Sequence, residues 1–208
     1  ISAFKKHTHI QRLYSLDKST DYEQLVAFDN RIKKEIDEVE YTVEYKFDGL
    51  TICLTYENGK FVRATTRGNG TVGEDVTPQV LTIKSFPLII DFKGKIEVQG
   101  EAIIRLSVLE KYNQTATEQL KNARNAVAGA IRNLDPKETQ KRKPEIYFYD
   151  VNYIEDNSLK TQEECIDFLK ANGFKVFNFI RFASNPSEVF SAIKEIENSR
   201  KEIDVLTD

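Results

Sequence analysis

The spacing of apolar and polar positions changes several times along this chain, and each change predicts an element. Leu25, Phe28, Ile32 and Ile36 recur at helical spacing behind Thr20-Asp21-Tyr22-Glu23, which has the form of a capping box, so a helix is expected to about residue 37. Alternation follows. Residues 41–48, 51–56 and 61–66 read as strands, and Asn58-Gly59 joins the last two as a hairpin. In the first of them Val43, Tyr45 and Phe47 fall on one face, and Glu44, Lys46 and Asp48 on the other. Residues 96–104 form a further strand, followed by a helix capped by Ser107, and the Ala-rich residues 124–134 suit a short helix that stops before Pro136. Residues 145–154 alternate again. Thr161 and Glu164 make a second capping box for a helix ending at Gly173; Asn185, with Pro186 in the first helical position, opens a last helix to about Arg200. This order predicts an α+β fold of antiparallel β-sheets with peripheral helices.

Composition narrows the function classes. A chain of 208 residues can bury a substantial core, and a formal net charge of -3 is not that of a general polyanion binder. Any contact with nucleic acid has to use local clusters of Lys and Arg. Cys53 and Cys165 lie far apart and in no metal-ligand spacing, which predicts reduced thiols in an intracellular protein and no metal site. Without an apolar run of spanning length or a signal peptide, the chain is expected to be soluble and unexported. It has no methionine and begins at Ile1, the pattern of a piece of something longer.

Four segments carry candidate chemistry. Lys46-Phe47-Asp48-Gly49 places a nucleophilic amine among carboxylates; the plainer alternative is an exposed strand whose charges pair in water for roughly 0–1 kcal/mol. Residues 64–77 hold Gly68, Gly70 and Gly73 behind Arg67, a loop able to grip a phosphate or ribose through guanidinium and main-chain amides, or an ordinary surface turn. Gly100-Glu101 lies in a strand where Glu97, Gln99 and Glu101 share a face, so Glu101 can point into the cleft of Lys46; the glycine marks something bulky close to the backbone. In residues 122–136, Arg124 and Arg132 fall about two turns apart, able to bridge phosphates or simply solvated on an Ala-packed helix.

Taken in this order, these segments resemble the adenylation domain of bacterial-type NAD-dependent DNA ligases, in the covalent nucleotidyltransferase superfamily. The resemblance starts at Ser15-Leu16-Asp17 and spans nearly the whole chain. Residues 122–136 resemble the NAD-dependent branch specifically, whereas Lys-x-Asp-Gly is shared with ATP-dependent ligases and capping enzymes, the alternative reading. A nucleic-acid scaffold without turnover is a third reading, disfavoured by intact Lys46, Asp48, Arg67 and Glu101.

The resemblance implies a nucleotidyltransferase adenylation fold (ATP-grasp-like, as in DNA ligases) over residues 1–208, and a Lys46 that attacks NAD, forms lysyl-AMP and expels nicotinamide mononucleotide. Asp48 is implied to be an acid near it. Glu44 and Tyr149 are implied in the adenine pocket, Ser15 and Leu16 against bound NAD, and Arg67 and Glu101 on the ribose and phosphate side. Arg124, Arg132, Arg200 and Asp208 are implied in phosphate and nick handling, the last two matching the lead-in to the family's next motif. Nicked duplex DNA is the implied partner, of a cytoplasmic, nucleoid-associated monomer without membrane contact that acts in replication and repair. An N-terminal nicotinamide-binding helical subdomain and downstream OB, zinc-finger, helix-hairpin-helix and BRCT modules are expected outside this sequence, the only place for zinc. Asn69, Gln99 and Ala123 depart from the family's Asp, Arg and Pro. Glu44, Asp48 and Glu101 are expected to hold Lys46 as an ammonium, which magnesium arriving with the nucleotide, Arg67 and burial have to offset.

Overall fold

The computed structural model describes residues 4–208. In chain order the elements are β1 (Lys6–Thr8), α1 (Tyr22–Ile32), β2 (Tyr41–Val43), β3 (Leu50–Glu57), β4 (Lys60–Thr66), β5 (Val72–Glu74), α2 (Thr77–Val80), β6 (Ile96–Ile103), α3 (Leu106–Thr115), α4 (Ala123–Ile131), α5 (Pro136–Lys141), β7 (Glu145–Ile154), α6 (Gln162–Ala171), β8 (Arg181–Ala183) and α7 (Pro186–Ser199). A four-stranded antiparallel sheet in the order β4-β3-β6-β7 organises them, with two small antiparallel pairs, β1-β5 and β2-β8. No helix among the described residues is long and apolar enough to cross a membrane.

Alternation gives the large sheet one apolar face. Ile52, Leu54 and Tyr56 of β3, Val98 and Ala102 of β6, Ile146 and Phe148 of β7 and Ala64 of β4 pack there with Val76, Val80, Val127, Ile131 and Leu169. Each of the Ile, Leu, Val and Phe side chains stabilises the fold by about 1.5–3 kcal/mol on burial. Gly100 belongs to this face: a Cβ there would stand 2.9 Å from Phe148 Cδ1 and 2.7 Å from Ile146 Cγ2, so the bulky neighbour expected from the sequence is the core itself. The opposite face, with Thr51, Gln99 and Glu101, is left for polar chemistry.

Strand β7 departs from regular pairing twice. Its partners on β6 skip from Asp150 to Phe148 and from Tyr153 to Val151, leaving Tyr149 and Asn152 as extra residues. Bulges of this kind re-aim side chains.

Three expectations from periodicity are corrected. The strand over residues 41–48 ends at Val43; beyond it only Phe47 bridges, to Thr207. Tyr45 and Phe47 leave the ladder to join Tyr147, Phe177 and Phe179, with ring centroids 4.8–5.4 Å apart between the two groups. The cap of α1 is Asp21, which accepts from Gln24 N at 2.9 Å while Gln24 reaches back to Thr20 N, one residue later than the box over Thr20 and Glu23. That helix stops at Ile32, and Ile36 is exposed. Ser107 does not cap α3. Its own amide donates to Asp204 Oδ1 at 2.8 Å and its hydroxyl to Oδ2, so the cap comes from the far end of the chain.

Candidate functional site

Where the lysine segment leaves β2 it is held against residues 206–208. Asp48 N donates to Leu206 O and Asp208 N donates to Lys46 O, both at 2.9 Å. Gly49 then turns the chain into β3 so tightly that a Cβ would lie 2.0 Å from the Ala102 carbonyl oxygen, the physical reason for glycine at that place. This pairing presents Lys46 to a cleft of about 1370 Å³ lined by β3, β6, β7, α4, the loop after β4 and the segment with Ser15 and Leu16.

Lys46 Nζ pairs with the Asp208 carboxylate, and that ammonium holds the Asp208 carboxyl below its usual range. Both side chains are more than half exposed, so the pair is open to exchange with a ligand. The three carboxylates expected to act on Lys46 are bonded elsewhere. Asp48 lies 3.5 Å from Arg124, Glu101 accepts from Thr51 Oγ1 at 3.1 Å, and Glu44 accepts from Gln162 Nε2 at 3.2 Å. The neighbour of Lys46 is a fourth carboxylate, brought from 162 residues away.

At one end of the cleft Gln162 joins two of the predicted residues. Its Nε2 also donates to the Tyr149 carbonyl at 2.6 Å, while Tyr149 Oη accepts from Gln99 Nε2 at 2.9 Å. Burial raises the Glu44 carboxyl and the hydrogen bond from Gln162 opposes it; Asp150 is likewise raised by burial. Glu101 is pushed up to about 7, by burial first, against the opposing Thr51 hydroxyl, Gly49 amide and Arg124 charge.

The glycine-rich loop departs from its expected use. Asn69 Oδ1 accepts from Thr71 N at 3.0 Å and Val72 N at 2.8 Å, while Gly70 N donates to Arg67 O and Asn69 N to Val72 O. The amides of Asn69, Gly70, Thr71 and Val72 are therefore satisfied within the turn rather than turned to a phosphate. The amide oxygen of Asn69 makes the contacts an Asp would make, without the charge. Gly70, at φ 90°, offers its carbonyl to Leu13 N, which clasps the Ser15 segment to the loop. The guanidinium remains the loop's contribution: Arg67 Nη2 donates to Ser15 Oγ at 2.8 Å, and its buried Nε–H has no protein acceptor. Leu16, 78% exposed, stands at the rim.

Helix α4 delivers Arg124 to Asp48 and Arg132 to Glu74, the latter at 3.0 Å and shared with Lys6. Asn122 caps the helix by accepting from Asn125 N. Arg200 lies outside the cleft lining. It donates to the Thr207 carbonyl at 3.0 Å, a contact with the residues that carry Asp208.

Six cationic side chains, Lys6, Arg12, Lys46, Arg67, Arg124 and Arg132, face six acidic ones, Glu44, Asp48, Glu74, Glu101, Asp150 and Asp208. Formally they cancel. Because burial pushes the Glu101 carboxyl up to about 7, the balance at neutral pH shifts toward the cations, and the unsatisfied Arg67 Nε–H adds a donor. An anionic nucleotide fits that balance. Among the described residues no three carboxylates of the cleft converge within 4.8 Å. Gln162 and Lys6 were not singled out from sequence. The cap at Thr161 announced the helix start, but nothing local places its first turn beside β7.

A family model for the NAD-dependent DNA ligase adenylation domain matches residues 1–208. A DNA ligase of Alkaliphilus metalliredigens is 51% identical over 211 residues, covering 100% of this chain and 32% of that protein. A DNA ligase of Finegoldia magna is 50% identical over 220 residues, covering 100% and 33%, and one of Clostridium botulinum strain Loch Maree is 43% identical over 216 residues, covering 98% and 32%. The chain thus spans about a third of the length of these relatives.

Proposed function

The chain belongs to the NAD-dependent DNA ligase adenylation domain family, and from that premise we propose that Lys46 takes an adenylyl group from NAD for the sealing of nicked duplex DNA. NAD is here a substrate and is consumed. The observation that carries the reading is Lys46 facing a cleft whose two sides differ in kind, with Glu44, Gln162 and Tyr149 on one and the arginines on the other.

In this mechanism Lys46 first leaves Asp208, and its free amine attacks the adenylyl phosphorus. A P–N bond forms, the bond from that phosphorus to the pyrophosphate bridging oxygen breaks, and the electron pair departs with nicotinamide mononucleotide. Tyr149 stacks on the adenine and Glu44 accepts from its exocyclic amine, oriented by Gln162. Arg67 and Glu101 hold the ribose and phosphate side, with Ser15 fixing the guanidinium and Leu16 covering the rim. Asp48 keeps Arg124 beside the lysine, and Arg124 and Arg132 exchange their carboxylate partners for nick phosphate oxygens. Asp208 is the carboxylate nearest the departing ammonium proton. Magnesium bound with the nucleotide would neutralise charge on its phosphate oxygens, with Asp48, Glu101 and Asp208 as the available hard ligands.

Residues 1–208 are read here as an adenylation domain of the nucleotidyltransferase fold, and nick joining as the work of the longer protein, acting as a monomer at the bacterial nucleoid. The test incubates the full-length protein with magnesium and adenylate-labelled NAD or ATP. An acid-labile label from NAD, absent in Lys46→Ala, is the expected result. Labelling from ATP instead, or label retained in that variant, overturns it.

A further inference from the structure

We propose that His9, Cys53 and Glu97 bind a divalent transition ion of the zinc class in the polar layer beside the cleft, at a site separate from the adenylation chemistry. Their ligand atoms lie within 4.8 Å of one another, and the residues are only 7%, 1% and 1% exposed. They come from three separate parts of the chain: the end of β1, the middle of β3 and the start of β6. Register puts Cys53 and Glu97 on the same sheet face as Gln99 and Glu101, yet neither lines the cleft.

The histidine carries the strongest indication. Its Nε2 lies 2.9 Å from the Arg67 carbonyl oxygen, which can only accept, so Nε2 bears the hydrogen and Nδ1 keeps a lone pair. That Nδ1 is buried and has no partner. One imidazole nitrogen free and the other N–H donated to a backbone carbonyl is the arrangement of a metal-ligating histidine with its orientation already fixed. Glu97 is fixed likewise: Asn152, one of the two extra residues of β7, donates its Nδ2 to Oε1 at 3.1 Å.

Cys53 accounts for what is lacking. Buried against the Glu97 carboxylate, with which its thiol shares a hydrogen bond, it lies beside the unused lone pair of His9. A divalent ion would satisfy all three groups. The S–metal bond forms as the thiol proton passes to solvent, with no change of oxidation state. Thiolate, imidazole and carboxylate together select zinc over magnesium or calcium, and three protein ligands leave a fourth position for water.

The test titrates cobalt(II), under argon with a phosphine reductant, into the metal-stripped 208-residue chain. The expected result is a thiolate-to-cobalt charge-transfer band saturating at one equivalent and discharged by zinc. Cys53→Ser should abolish the band, His9→Gln and Glu97→Gln should weaken binding at least tenfold, and Cys165→Ser should leave it intact. Zinc should also raise the melting temperature of the parent but not of Cys53→Ser. No band and no thermal shift would mean that the thiol proton and a water complete the cluster, and would overturn the proposal; so would a band that survives in Cys53→Ser or is lost in Cys165→Ser. Should Cys53→Ser not fold, X-ray absorption on the zinc-loaded parent decides, since a first shell without one sulfur excludes the site.

Discussion

Replacing Gln162 by Leu keeps the volume of the side chain and removes two hydrogen bonds, the 2.6 Å bond to the Tyr149 carbonyl and the 3.2 Å bond to Glu44. The first loss is a neutral bond worth about 1 kcal/mol, felt mainly in the anchoring of the first turn of α6 on β7. The second bears on recognition. A hydrogen bond to a charged group contributes roughly 1.5–3 kcal/mol, so adenylate affinity should fall roughly 10- to 150-fold if Gln162 is what orients the carboxylate. The pH dependence has a definite sign. Burial raises the Glu44 carboxyl and Gln162 opposes it, so without Gln162 the carboxyl should protonate at higher pH, and the affinity lost in acid should be lost at a higher pH than in the parent. Calorimetry with adenosine monophosphate across the neutral range reads both effects. Inosine monophosphate, which lacks the exocyclic amine, should bind parent and variant alike. A folded Gln162→Leu protein with the parent's affinity and pH profile would refute the assignment of Glu44 to the base.

Further outcomes follow from the same geometry. Lys46→Ala and Lys46→Arg should both give no labelled adduct while keeping the parent's circular dichroism, since neither supplies a titratable amine; a labelled Lys46→Arg would show another nucleophile. Tyr149→Ala should weaken nucleotide binding about 5- to 150-fold by calorimetry, and unchanged affinity would move the base elsewhere. Glu101 retains its proton to about pH 7 when folded but only to about 4.5 when unfolded, so it lowers stability as pH rises between those values and by a constant amount above them. Glu101→Gln should therefore be more stable than the parent at pH 8 by up to about 3 kcal/mol and nearly equal to it at pH 4, in denaturant melts; a gain independent of pH would refute the shift. Asp204→Ala should cost about 1 kcal/mol through the lost cap on α3 and slow adenylation by releasing the residues that bear Asp208, and normal labelling would show that this tether does not position the lysine.

Local rules made the periphery of this protein legible. Thr161 with Glu164, Asn185 with Pro186 and the Asn58-Gly59 turn lie where the sequence put them, because each is decided by residues within a few positions. The strand carrying Lys46 was misjudged for the opposite reason. Its alternation of apolar and polar residues is real, but residues 44–48 all border the cleft, and the apolar partners of Tyr45 and Phe47 are aromatic rings near residues 147 and 177 rather than a neighbouring strand. Alternation records which side a residue takes; it does not record whether a ladder partner exists. The bulges at Tyr149 and Asn152 are invisible in the same way, since an extra residue is defined only against β6.

The same distinction explains why the electrostatics of the lysine had to wait for the structure. Sequence proximity named Glu44 and Asp48 as its carboxylates, and strand alternation named Glu101, yet folding gives each another partner and sends Asp208 to Lys46. The exchange has a mechanistic consequence. A carboxylate built into the same strand could not be withdrawn without unmaking that strand. Asp208 instead sits at the end of a segment anchored by main-chain hydrogen bonds, the Arg200 contact to Thr207, the Asp204 cap and the buried side chain of Val205, while its own carboxylate stays more than half exposed. The segment stays put while the exposed ion pair at its end is one an arriving phosphate can compete with. Neutralising Asp208 by Asp208→Asn should accordingly loosen nothing in the sheet, and should change the pH dependence of labelling more than its yield at alkaline pH.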